Sequence, residues 1–378
     1  MSYILAAAGF AALIILHEAG HFTAAKAVGM RVERFFLFFP PAIAKFRRGE
    51  TEYGIGAIPL GGFVKITGMN PDENLPPEVA HRAYYRMPVW KRIVVIAAGP
   101  AMNLLIAFVL LFALAFGARQ YNDTVGDIVP GSPAAAHLQT GDRILAVDGR
   151  TYPNASTNER LTHFARLVAR HKCPGEQTDG CAAKTPVHLR IARDGRERTL
   201  SIRPKYDSQI KRTRLGFSYG STPLNPSVPQ AAGDAGTFMW HVSTQTVGVI
   251  ARIFQPQERK QLSGVVGGYE VTRQAIGFGA REALTLIAVI SLSLAIINLF
   301  PFLPLDGGHI FWSLVEKIRG RPVPFRVMER AGAVGFLLVM LLFAVGLSND
   351  IGRLTGQGFN VRLQENGAAR RTGRAYRV

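Results

Sequence analysis

The sequence predicts a membrane α-helical protein with four transmembrane helices. It also predicts a membrane-associated β-hairpin on the cytoplasmic side and an α+β domain inserted between the second and third helices. Three observations carry this reading. Apolar residues gather in four stretches, Tyr3–Val28, Ile93–Phe116, Leu284–Phe302 and Ala331–Leu347, each close to the roughly 20 helical residues that cross a bilayer core. Basic residues crowd the segments after the first stretch and before the fourth. A long polar segment with strand and turn signals separates the second stretch from the third.

The elements follow in order. Residues 1–29 form the first span. It lacks the basic n-region and small-residue cleavage site of a signal peptide. Residues 30–90 form a cytoplasmic-side loop, in which Tyr53–Ile66 reads as strand, turn, strand. Phe35–Phe39 is an apolar run ending in Pro40-Pro41 and suited to dip into the bilayer. Bare strand edges are costly in lipid, so this hairpin is expected against helices or along a wet cavity. Residues 91–118 are the second span, 121–205 the inserted domain, and 206–282 a linker. In the linker, Met239, Val242, Thr246, Ile250 and Ile253 recur at helical spacing, which reads as an amphipathic helix on the membrane surface or against the inserted domain, with a packing helix as the plainer reading. Residues 283–309 hold the third span and the Asp-Gly turn that ends it, 310–330 a cytoplasmic loop, 331–348 the fourth span and 349–378 a basic tail.

The formal net charge is +18. On a soluble chain that would suggest nucleic acid. Here Arg31, Arg34, Lys45, Arg47 and Arg48 follow the first span, and Lys317, Arg319 and Arg321 precede the fourth. The positive-inside rule puts both loops in the cytoplasm and residues 118–282 outside. The partner implied is a lipid bilayer, with no nucleic acid. The tail arginines, among them Arg353, Arg362 and Arg370, fall outside by alternation and run against the rule. Cys173 and Cys181 lie in the outside segment, where disulfides persist. They read as a bridge closing a short loop, with two free thiols as the alternative.

His17-Glu18-Ala19-Gly20-His21 matches H-E-x-x-H. Helical residues four apart share a face, so both imidazoles can reach one metal, and neutral imidazole suits Zn2+. Glu18 is placed to move a proton between attacking water and leaving amine. Three ionisable residues in one membrane helix are expensive and need a reason. A catalytic zinc needs a third protein ligand. Pro301 and Pro304 break the end of the third span before Leu305-Asp306-Gly307-Gly308-His309. Both Asp306 and His309 are candidates.

Residues 121–205 resemble a PDZ domain. The resemblance rests on Val125–Ala136, on Leu138–Arg150 with its Gly141-Asp142 and Asp148-Gly149 turns, and on a helix over Thr157–Ala169. PDZ domains add an extended peptide to a sheet edge, which implies a peptide ligand; an ordinary small β domain is the alternative. Most of the chain resembles the site-2 protease family of intramembrane zinc metalloproteases. The match comprises His17–His21, Pro59–Phe63, Gly99–Asn103, the PDZ-like insert and Asn298 through Leu305-Asp306-Gly307. The single insert and Arg48–Gly54 look like the bacterial regulator-of-sigma-E-protease branch (RseP/RasP-like), including its actinobacterial members. That branch often has Gly-Phe-Gly-Pro where this chain has Phe38–Pro41. The resemblance implies one Zn2+ held by His17, His21 and Asp306, with Glu18 as general base. It implies that Asn298 holds substrate or the developing oxyanion, and Gly61, Gly62, Phe63 and Asn103 are expected to contact substrate. It also implies single-pass substrates such as anti-sigma factors already trimmed by a first protease, and a multi-pass protein of the bacterial cytoplasmic membrane.

Two other readings compete. A metal transporter needs ligands along a route through several helices, and it leaves Glu18 idle. A membrane scaffold with a peptide-binding PDZ-like domain and a structural zinc site would need no general base.

Overall fold

The computed structural model describes residues 2–70, 73–208, 210, 212–252, 255 and 264–352. They fall into two units, one of Met1–Leu114 with the chain from Ala235 onward, the other Ala115–Asp234.

Among the described residues, four helices are long and apolar enough to span a bilayer: Ile4–Ala27, Val89–Phe116, Ala280–Asn298 and Arg326–Gly352. They lie within α1 (Ser2–Ala27), α2 (Val89–Phe116), α6 (Ala280–Asn298) and α8 (Phe325–Gly352). The last span leaves Val334, Leu337 and Leu341 more than half exposed. Such a surface is tolerable where lipid rather than water surrounds it. From residue 353 onward the expected basic tail lies outside the described residues.

Between α1 and α2 runs a β-hairpin of β1 (Val32–Arg48) and β2 (Thr51–Ile66). The strand, turn and strand expected within Tyr53–Ile66 are both halves of β2, which meet β1 at different places. Arg34–Leu37 pairs with Gly62–Lys65, and also with Glu52–Ile55; Ala42–Arg48 folds back on Thr51–Gly56. The Gly62–Ile66 segment therefore ends the sheet. Glu50 at the tight turn receives hydrogen bonds from Arg82 at 2.7 and 2.9 Å and pairs with Lys26 at the end of α1. Those bonds, Arg82 foremost, pull the Glu50 carboxyl down to about 2. Met30, Val32, Ile66, Tyr84, Val95 and Ile96 form a small core that seats the hairpin between α1 and α2.

Among the described residues, the linker expected over 206–282 holds two helices, α4 (Val228–Ala251) and α5 (Val265–Phe278). Phe238 and Met239 of α4 pack with Leu111 and Ala288, so this stretch is a packing helix; Ile253 lies outside the described residues. Buried Asp350 of α8 accepts from the Gly267 N–H at 2.8 Å, satisfying one orphan donor of the α5 N-terminus. Helix α7 (Asp306–Arg319) follows the turn after α6 and ends at Gly320 in the left-handed conformation.

The second unit is built on a five-stranded sheet ordered β6-β5-β4-β3-β9. The strands are β3 (Arg119–Ile128), β4 (Arg143–Val147), β5 (Val187–Arg193), β6 (Arg196–Ile202) and β9 (Phe217–Pro223). Strands β7 (Lys205–Asp207) and β8 (Arg212–Arg214) form a separate pair. The unit runs past the 205 boundary expected from sequence, because β9 pairs with β3 and buries Phe217 and Tyr219 in the core. Helix α3 (Thr157–Val168) begins with a capping box of Ser156 and Glu159 and packs Leu161, Phe164 and Val168 into the same core. Asp142 is buried and takes two hydrogen bonds of 2.7 Å from Arg193. Cys173 and Cys181 form a disulfide.

Candidate metal centre and active site

The centre is assembled where α1 crosses α2. His17 and His21 are one helical turn apart on α1, so both rings face the same way. Opposite them, α2 presents Val95, Gly99 and Asn103, also four residues apart. The His21 Nδ1–H donates to the Val95 carbonyl at 2.9 Å. That bond puts the proton on Nδ1 and leaves Nε2 bare. Gly99 makes room for both rings: a Cβ there would stand 2.2 Å from His21 Nε2 and 2.9 Å from His17 Cε1. Gly20 serves the same crossing, since a Cβ on it would meet the Ala98 carbonyl oxygen at 2.4 Å.

The third group comes from the start of α7. The chain breaks after Asn298 and turns through Leu299–Leu305, and Asp306 opens the next helix. Gly307 and Gly308 are required by packing, because a Cβ on either would meet turn backbone at 2.3–2.4 Å. Asp306 Oδ2 lies 3.3 Å from His17 Nε2 and 3.5 Å from His21 Nε2, and the two Nε2 atoms are 3.2 Å apart.

This triangle fits a tetrahedral zinc. Bonds of about 2.05 Å at tetrahedral angles separate ligand atoms by about 3.3 Å. Two imidazoles and a carboxylate are also a zinc donor set. The three residues form the candidate metal-binding group among the described residues, and His309 is not part of it.

A cavity of about 430 Å³ opens beside this group. His17, Glu18, His21 and Asp306 line it, as do Asn298, Gly61, Gly62, Phe63 and His309. Gly62 touches the acid directly: a Cβ there would lie 2.7 Å from Glu18 Cγ. The last strand segment of the hairpin thus runs beside Glu18, with its outer edge not taken up by another strand among the described residues.

Asn103 stands apart from the expectation that it contacts substrate. It is fully buried, is not among the cavity's lining residues, and has its side-chain amide 3.0 Å from His17 Nδ1. Sequence reasoning also passed over the Val95 carbonyl and the spatial role of Gly99. Their four-residue spacing with Asn103 was the available signal. Arg92, one turn before Ile96, is buried and bidentate to Glu316 of α7 at 2.6 and 3.0 Å. This pair ties α7, and so Asp306, to α2.

The family model for peptidase family M50 matches residues 5–342. Zinc metalloprotease Rip1 of Mycobacterium tuberculosis H37Rv is 31% identical, with 88% of this chain and 91% of that protein covered. Its namesake in Mycolicibacterium smegmatis is 30% identical over 86% and 88%. A Brucella suis biovar 1 relative is 31% identical over 90% and 92%.

Proposed function

The chain belongs to peptidase family M50 and is a membrane zinc metalloendopeptidase, and on that premise we propose that His17, His21 and Asp306 hold its zinc and Glu18 is its general base. The observation that carries the assignment is the triangle of ligand atoms, 3.2–3.5 Å on a side, in which buried Asp306 Oδ2 has no hydrogen-bond donor among the described residues. An anionic oxygen in such a place needs a cation.

When bound, zinc supplies Lewis acidity at the scissile carbonyl and lets water attack at neutral pH. Glu18 takes the proton from that water and hands it to the leaving amine. Asn298, on the cavity wall, offers an amide N–H to the oxygen on which charge develops. The free edge at Gly62–Ile66 binds the unwound substrate as an added strand. Gly61 and Gly62 let that strand come close, and Phe63 lies along the same wall. Unwinding is required because a helix occupies its own carbonyls and shields its peptide bonds.

Substrates are membrane proteins, and within that class the reading favours single-pass proteins of the anti-sigma-factor kind, trimmed beforehand outside the membrane. The unit Ala115–Asp234 acts as a PDZ-like extracytoplasmic filter; its sheet with a flanking, capped helix α3 supports that reading. The basic loops around Arg47–Arg48 and Lys317–Arg321 support a cytoplasmic-membrane protein with its active site near the cytoplasmic side.

The test is cleavage of a truncated single-pass anti-sigma-like substrate by the full chain in detergent. Native protein is expected to cut, while Glu18→Gln and chelator-treated protein do not. Cutting that survives Glu18→Gln refutes the general-base assignment.

A further inference from the structure

We infer that Asn103 is a positioning residue for the metal centre: its amide oxygen accepts the Nδ1 proton of His17 and so aims His17 Nε2 at the zinc. The inference rests on the reading of His17 as a ligand.

The argument starts from the proton count of an imidazole. A neutral ring has one N–H and one bare nitrogen. If Nε2 binds metal, the proton sits on Nδ1 and needs an acceptor. His21 has one, the Val95 carbonyl at 2.9 Å. At His17 the corresponding neighbour is the Asn103 side-chain amide, placed with its nitrogen 3.0 Å from Nδ1. The amide is planar and nearly symmetrical in shape, so a half-turn exchanges its oxygen and nitrogen. The other end of the amide, its oxygen, is buried with no hydrogen-bond partner among the described residues, so no second contact holds the oxygen away from His17. The proton on His17 therefore decides, and it selects the oxygen.

The rest of the residue is held for this task. Asn103 is 0% exposed, and its backbone carbonyl accepts a 2.9 Å hydrogen bond from buried Ser291 of α6. Three helices thereby fix the amide's place. One face of α2 thus carries an acceptor for each zinc-binding imidazole, a backbone oxygen at Val95 and a side-chain oxygen at Asn103.

The experiment measures Zn2+ affinity by competition with a chromophoric chelator, on the full chain in detergent. The variants are Asn103→Asp, Asn103→Leu and His17→Ala. Removing an acceptor of this kind costs about 10–100-fold in metal affinity, so Asn103→Leu is expected to lose that much. Asn103→Asp keeps an acceptor oxygen and is expected within about threefold of native. A d–d spectrum with Co2+ in place of zinc should stay four-coordinate in Asn103→Asp. Equal affinities for Leu and native overturn the inference, and so do equal losses for Leu and Asp, which would mean that the amide N–H group and not the acceptor oxygen matters. His17→Ala separates the two levels. If it leaves zinc affinity unchanged, the ligand assignment itself has failed; if it loses zinc while Asn103→Leu does not, only the positioning role has failed.

Discussion

Replacing Gly99 with Ala adds one methyl group at the crowded point of the α1–α2 crossing. Its Cβ would lie 2.2 Å from His21 Nε2, 2.5 Å from His21 Cε1 and 2.9 Å from His17 Cε1. Unbonded carbon needs about 3.5 Å, so the His21 ring must retreat by more than about 1 Å. The helices cannot separate freely, because the same separation would break the His21–Val95 hydrogen bond of 2.9 Å. Zinc–ligand distances tolerate about 0.2 Å. A shift several times larger removes His21 from the metal, and misplacement by 1 Å alone costs on the order of 100-fold in rate. Overpacking should destabilise the fold by only about 1–3 kcal/mol. The expected result is a folded protein with zinc affinity and substrate cleavage both reduced at least about 100-fold. The assay is zinc content after dialysis against a graded chelator, paired with cleavage of the truncated substrate. Gly268→Ala is the control, since its methyl meets nothing closer than Phe10 Cζ at 4.0 Å. Gly99→Ala protein that keeps zinc and cuts within about threefold of native would show that His21 is not held where the metal requires it.

Three further outcomes follow from the same geometry. In Gly62→Ala the new methyl would press on Glu18 Cγ at 2.7 Å; zinc content should stay native while kcat falls about tenfold or more, and loss of zinc instead would mean the clash spreads to the ligands. Arg92→Met strips Glu316 of its bidentate partner; with Glu316 23% exposed, the loss should be about 2–3 kcal/mol, below the range for fully buried pairs, read as a lower unfolding temperature in detergent. At Asp142, burial raises the carboxyl pKa, but the hydrogen bonds from Arg193 and the Gln139 N–H outweigh it and hold the group below its usual value. The folded pKa is depressed, so its stabilisation is present above about pH 4 and fades as pH falls toward the folded value. Asp142→Asn should therefore lower the unfolding temperature at pH 7, and the gap to native should narrow below about pH 4; a gap independent of pH would mean that shape rather than charge is at stake.

Much of the fold was legible because its signals are local. Four apolar stretches marked the spans to within a few residues, since crossing a bilayer is a matter of length and composition. The boundary at 205 was missed for the opposite reason. Phe217 and Tyr219 alternate with polar residues over a short run, and only pairing with β3 turns that run into part of the sheet. The α4 segment reads the same from sequence whether it lies on lipid or packs, and its neighbours Leu111 and Ala288 decide.

At the centre, sequence alone determined that His17 and His21 share a face with Glu18 between them, because helical periodicity is a property of the chain itself. It also narrowed the third ligand to Asp306 or His309, and only resemblance ranked them. Distance from two residues nearly 300 positions upstream is a tertiary quantity. The turn after Asn298 brings Asp306 Oδ2 within 3.5 Å of both imidazoles and leaves His309 on the cavity wall. The contacts of Val95, Gly99 and Asn103 with those rings are likewise invisible in the sequence, because they exist only where two helices cross.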